Sequence, residues 1–81
     1  MLPQDKGCFL FTSYIGDQLR VTLTNAERGW NMSFNLPGMD VYFLCMDPGH
    51  YTYTISHPNW LGNGEFDVEA GEHGRFPIVG R

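Results

Sequence analysis

Apolar and polar positions alternate with period two in several separate stretches of this chain, the pattern of antiparallel strands with one face buried. Two stretches are the clearest. In residues 50–56, Tyr51, Tyr53 and Ile55 point one way while His50, Thr52, Thr54 and Ser56 point the other; in residues 65–70, Phe66, Val68 and Ala70 alternate with Glu65, Asp67 and Glu69. A one-residue slip of the second stretch would bury three carboxylates, so its register is strongly fixed. Asp47-Pro48-Gly49 carries the chemistry of a tight turn ahead of the first stretch, and Gly62-Asn63-Gly64 is expected to supply the bend between the two.

The same reading extends along the chain. Residues 8–15 (CFLFTSYI) are apolar on both faces, with Phe9, Phe11 and Ile15 on one and Cys8, Leu10 and Tyr14 on the other. Gly16-Asp17 is a two-residue hairpin signal, after which Leu19, Val21 and Leu23 alternate with polar neighbours. A polar connection over residues 25–29 precedes a strand with Trp30, Met32, Phe34 and Leu36 on one face. Pro37-Gly38 turns the chain into residues 41–46, again apolar on both faces: Val41, Phe43 and Cys45 against Tyr42, Leu44 and Met46. The final turn, residues 70–74, leads to a closing strand with Phe76 and Ile78 inward, and Pro77 confines that strand to an edge.

About seven short strands with turns every eight to twelve residues predict a small antiparallel β-sandwich, with a partly open barrel as the alternative closure. The 81 residues make a single domain, residues 1–7 forming an extended N-terminal segment. At that length folding entropy nearly cancels burial, so extra support matters. The two cysteines, Cys8 and Cys45, allow one disulfide or two buried thiols. Closing a loop of about 35 residues would stabilise the fold by roughly 3 to 4 kcal/mol in the chain-entropy picture.

Charge narrows the partners. With five Lys and Arg against nine Asp and Glu, the net charge is −4, and no basic stripe exists to grip a phosphate backbone. Nucleic acid is therefore not expected as a partner. No apolar run approaches the length needed to span a bilayer as a helix.

Candidate chemistry is sparse. Glu65, Asp67 and Glu69 line one strand face with Glu72 just beyond, but outward acids on a strand serve solubility and edge protection more often than calcium. His50, His57 and His73 have no spacing that places two on one face. Neither the cysteines nor Ser13, Ser33 and Ser56 stand in a nucleophile motif, so no catalytic residue, metal or cofactor is expected. Trp60, in the 58–61 loop, either caps the open end of the core or offers a stacking surface for a sugar ring, with Tyr51 and His57 as companions. The strands that are apolar on both faces leave surplus apolar surface, expected at Leu10, Tyr14, Tyr42, Leu44 and Met46 or their alternates, for contact with another copy or a neighbouring domain.

The order Pro48-Gly49-His50-Tyr51, then Pro58, then Val68-Glu69-Ala70-Gly71-Glu72 resembles the PEGA-type and carboxypeptidase regulatory-like β-sandwich modules. The resemblance covers the C-terminal third, and residues 8–46 depart from the pattern. It implies an extracellular or cell-surface, non-enzymatic module with a binding, spacer or assembly role. The sequence thus points to self-association or protein contact, with a small carbohydrate- or ligand-binding module as the alternative.

Overall fold

A computed structural model describes residues 4–79. Seven strands form: β1 (Gly7–Ser13), β2 (Leu19–Asn25), β3 (Trp30–Leu36), β4 (Val41–Met46), β5 (Gly49–His57), β6 (Trp60–Val68) and β7 (His73–Ile78). They make two packed sheets, ordered β4-β1-β7 and β3-β2-β5-β6, with no barrel closure. The expected β-sandwich is the fold. Of the expected extended segment over residues 1–7, residues 1–3 lie outside the described residues, and Gly7 already belongs to β1.

Strand neighbours depart from the simplest reading. β1 and β2 do not form a hairpin across Gly16-Asp17; they lie in opposite sheets. Phe9 and Phe11 of β1 and Leu19, Val21 and Leu23 of β2 are all buried, so their apolar faces meet across the core. The connection turns between layers because Ile15 is buried as a plug and its N–H donates to the Ser13 hydroxyl at 3.2 Å. Two true hairpins remain, β2–β3 and β5–β6. The second turns at Pro58-Asn59, so β6 begins at Trp60 and Gly62, Asn63 and Gly64 lie inside it, opposite Ile55, Thr54 and Tyr53. Gly64 is not a bend residue: the Tyr53 ring lies where a β-carbon would project, so only glycine lets that ring lie flat on β6.

The chain ends with a crossing back to the first sheet, where β7 pairs parallel with β1. Cys8 N–H donates to Glu72 O and Tyr14 N–H to Ile78 O. The even-numbered residues of β7 therefore bond β1, and the odd-numbered ones face the open edge. Pro77, lacking an N–H, occupies one of those edge positions, where it removes a donor that another strand would need.

Between the sheets, Phe11 contacts Phe34 at 5.5 Å and Phe76 at 5.1 Å, joining β1 to strands on both sides of the sandwich. On β4 the inward residues are Tyr42, Leu44 and Met46, with Tyr42 stacked on Phe34 at 4.1 Å. That leaves Val41, Phe43 and Cys45 on the outer face, where Cys45 lies opposite Cys8. The two are bonded, with an S–S distance of 2.08 Å.

Candidate functional site

Three features can be built from this frame: the outer face of the three-stranded sheet, an aromatic groove, and a charged cleft.

The β1–β4 and β1–β7 registers set the outer face in rows. Leu10 lies between Phe43 and Arg75, and Thr12 between Val41 and Pro77, with the Cys8–Cys45 bond beside His73 in the next row. Tyr14, whose N–H still bonds Ile78 O, continues the outward alternation beyond the end of β1, while Val79 lies beside Trp60 in the groove described below. Tyr14, Val41, Phe43 and Val79 are each more than half exposed. Of the five residues expected to form a contact surface, Leu10 and Tyr14 stand on this face, whereas Tyr42, Leu44 and Met46 are turned into the core. The surplus apolar surface on β4 is carried by the alternates, Val41 and Phe43. Alternation alone could not choose between the two sets, because both are apolar.

The other outer face is different in kind. Its rows read Asn31-Thr24-Thr52-Glu65, Ser33-Thr22-Thr54-Asn63 and Asn35-Arg20-Ser56-Leu61 across β3, β2, β5 and β6. Thr22 and Ser33 share a hydrogen bond of 3.0 Å. At one end His50 lies 2.7 Å from Asp67 and 3.4 Å from Glu65. The hydrogen bond with Asp67 raises the His50 pKa above its ordinary value. Among the described residues no three His, Cys, Asp or Glu side chains gather where they could hold a metal ion.

The groove runs between β6 and β7, one edge strand from each sheet. It has a volume of about 320 Å³ and is lined by Tyr53, Ile55, Trp60, Phe76, Pro77 and Val79 among others. Trp60 is half-buried in a strand, not in a loop, and stacks on His57 with ring centres 4.9 Å apart. Asn59 N–H donates to His57 Nδ1 at 3.0 Å, so Nε2 carries the proton and donates to Asp17 at 2.9 Å. Tyr51 does not join this pair. It is 1 % exposed, six residues away along β5, and packs on Trp30 and Phe66.

The charged cleft, of about 280 Å³, is lined by Lys6, Arg28, Trp30, Cys45, Met46, Asp47 and Tyr51. Three turns supply its polar groups, and backbone contacts fix each turn. Gly71 N–H donates to Lys6 O at 2.9 Å, ahead of β1. Asn25 caps the single 3-10 turn Ala26–Arg28 by accepting from Arg28 N–H, and Gly29 ends it at φ 62°, a left-handed value suited to glycine. Tyr51 O–H donates to Asp47 O at 2.6 Å across the β4–β5 turn. Gly49 takes φ 151° there, and the space left by its absent β-carbon is occupied by the buried Asn25 Nδ2, which has no hydrogen-bond partner among the described residues.

Within the cleft Lys6 Nζ lies 2.6 Å from Asp47 Oδ1. That bond raises the Lys6 pKa and lowers that of Asp47, so both stay charged at neutral pH. Arg28 is 3.8 Å from the same carboxylate, beyond hydrogen-bond distance. No sequence motif announces this cluster, because its members come from turns far apart in the chain. Only the turn chemistry of Asp47-Pro48-Gly49 is legible along the chain. Comparison of the chain with family models, with curated proteins and with solved structures gives no match.

Proposed function

We propose that this chain is a non-enzymatic β-sandwich module that works by protein contact, with a second copy of itself seated on the outer face of the three-stranded sheet. The observation that carries this reading is the asymmetry of the two outer faces. The four-stranded sheet turns out hydroxyls, amides and charged groups with Leu61 as its one large apolar side chain, whereas the three-stranded sheet turns out Leu10, Tyr14, Val41, Phe43 and Pro77. A contiguous apolar patch of this kind marks an interaction surface more often than a solvated one. A like copy supplies a matching partner, since an isologous contact sets apolar rows on apolar rows at the usual spacing of stacked sheets. Arg75 then falls at the rim, where a charge is tolerated. The bonded Cys8–Cys45 pair supports an oxidising, extracellular setting, and the PEGA-type resemblance of the C-terminal third points the same way.

Sedimentation velocity over a dilution series tests the reading. The sedimentation coefficient is expected to rise with concentration through the micromolar range, and Phe43→Ser is expected to hold the chain monomeric while leaving its melting temperature nearly unchanged. A wild-type chain that stays monomeric at high micromolar concentration overturns self-association.

The His57–Trp60 stack beside the apolar groove favours a second reading, in which the module binds a sugar ring against Trp60. Glycans that quench tryptophan fluorescence in the wild type, and fail to do so in Trp60→Ala, would support it. Silence across a broad glycan panel would remove it.

A further inference from the structure

We propose that the charged cleft at the β1, β2–β3 and β4–β5 turns is a binding site for a small organic acid, one carboxylate on a flat apolar body. The cleft brings two cations together on an acidic chain. Two of the five Lys and Arg residues, Lys6 and Arg28, line it with a single carboxylate, Asp47, while the whole chain carries −4. Lys6 and Asp47 satisfy each other at 2.6 Å, which leaves Arg28 as the surplus cation. Its side chain is 55 % exposed, and its nearest carboxylate oxygen among the described residues stands off at 3.8 Å. A guanidinium in that condition has its planar fork of donors open to a bidentate carboxylate.

The rest of the lining sets the body of the ligand. Half-buried Trp30 is the apolar wall of the cleft, backed by the buried Met46 and Tyr51, and the Tyr51 hydroxyl is already committed to Asp47 O. Trp30 stands edge-on to the buried Tyr51 at 5.7 Å and 87°, which holds the Trp30 ring in place as a flat face for an apolar group. The volume of about 280 Å³ lies just below the usual range of ligand pockets, about 300 to 1,000 Å³, which suits a small molecule and not a peptide. Inorganic phosphate would leave the apolar wall unused and set more than one negative charge beside Asp47. A free cation would meet Lys6 and Arg28. An acid with one charge and an aromatic or branched aliphatic body meets every surface with its complement. Because the three turns are fixed by the Asn25 cap, the Gly71–Lys6 bond and the Tyr51–Asp47 bond, little backbone must be ordered on binding.

The test is a heteronuclear NMR titration of the whole chain with benzoate, with benzamide as its neutral isostere and inorganic phosphate as the bare anion. The two indole N–H signals report separately on Trp30 in the cleft and Trp60 in the groove. Benzoate is expected to give a saturable shift of the Trp30 indole and the Arg28 amide, with a dissociation constant on the order of 1 mM and no saturable shift at Trp60. Benzamide and phosphate are expected to give none. Arg28→Gln should weaken benzoate by at least about tenfold, the factor set by losing a charge-assisted hydrogen-bond pair, and Arg28→Lys should recover part of it. The wild-type spectrum of Arg28→Gln away from the cleft serves as the folding check, and Lys6→Gln gives a second variant if that check fails. A Trp30 signal that benzoate does not move, equal shifts from benzamide or phosphate, or unchanged benzoate affinity in the folded variants would each overturn the proposal.

Discussion

Removing the Cys8–Cys45 bond is expected to lower the stability of the folded chain by about 4 kcal/mol, the chain-entropy value for cross-linking residues 37 apart in sequence. For a domain of this length that corresponds to a fall in melting temperature of about 15 to 30 °C. Total stability at 81 residues is about 4 to 12 kcal/mol, so the bond accounts for a large share of it. The structure also says where the loss begins. β4 is an edge strand that pairs with β1 alone, and the bond joins the two near the end that leads into the β4–β5 turn. Amides of Val41–Met46 should therefore exchange first in the Cys8→Ala/Cys45→Ala chain, before global unfolding. Calorimetry and hydrogen exchange with and without reductant check both statements. A double variant that melts within a few degrees of the wild type would sink the first.

Phe11→Ala is expected to cost about 3 to 5 kcal/mol, as for other fully buried aromatic truncations. Phe11 is 0 % exposed and touches both Phe34 of β3 and Phe76 of β7, so its loss opens a cavity that neither sheet can close without moving the other. Phe11→Leu keeps most of the volume and should lose less. Phe43→Ala, on the outer face at 52 % exposure, should stay within about 0.5 kcal/mol of wild type in the monomer. Urea denaturation of the three variants gives the comparison. Equal losses at positions 11 and 43 would mean that the inward and outward faces of the three-stranded sheet have been assigned the wrong way round.

Several of these assignments could be read from the residues alone. On β2, β3 and β5 a polar residue stands beside each apolar one, and burial follows that alternation directly: Leu19, Val21 and Leu23 inward, Thr22 and Thr24 outward. On β4 both faces are apolar, and the choice fell to tertiary contacts, the Tyr42–Phe34 stack inside and the Cys8–Cys45 bond outside. Gly62 and Gly64 look like a turn in sequence, because glycine is read first as conformational freedom. Here Gly64 serves close approach instead, giving the Tyr53 ring its resting place. With the turn displaced to Pro58-Asn59, Trp60 becomes a strand residue facing a groove.

The residues alone dictate most of the strands, the core face of those that alternate cleanly, and the sandwich class. Those properties follow from local chemistry, since period-two patterning and turn residues act over a few neighbours. Strand partners depend instead on long-range packing. Gly16-Asp17 allows a hairpin, yet β1 and β2 bury their apolar faces against each other across the core, which side-by-side pairing would not achieve. The charged cleft belongs to the same class of decision. Lys6, Arg28 and Asp47 carry no shared motif, and they meet because the sheet order brings three turns to one end of the sandwich.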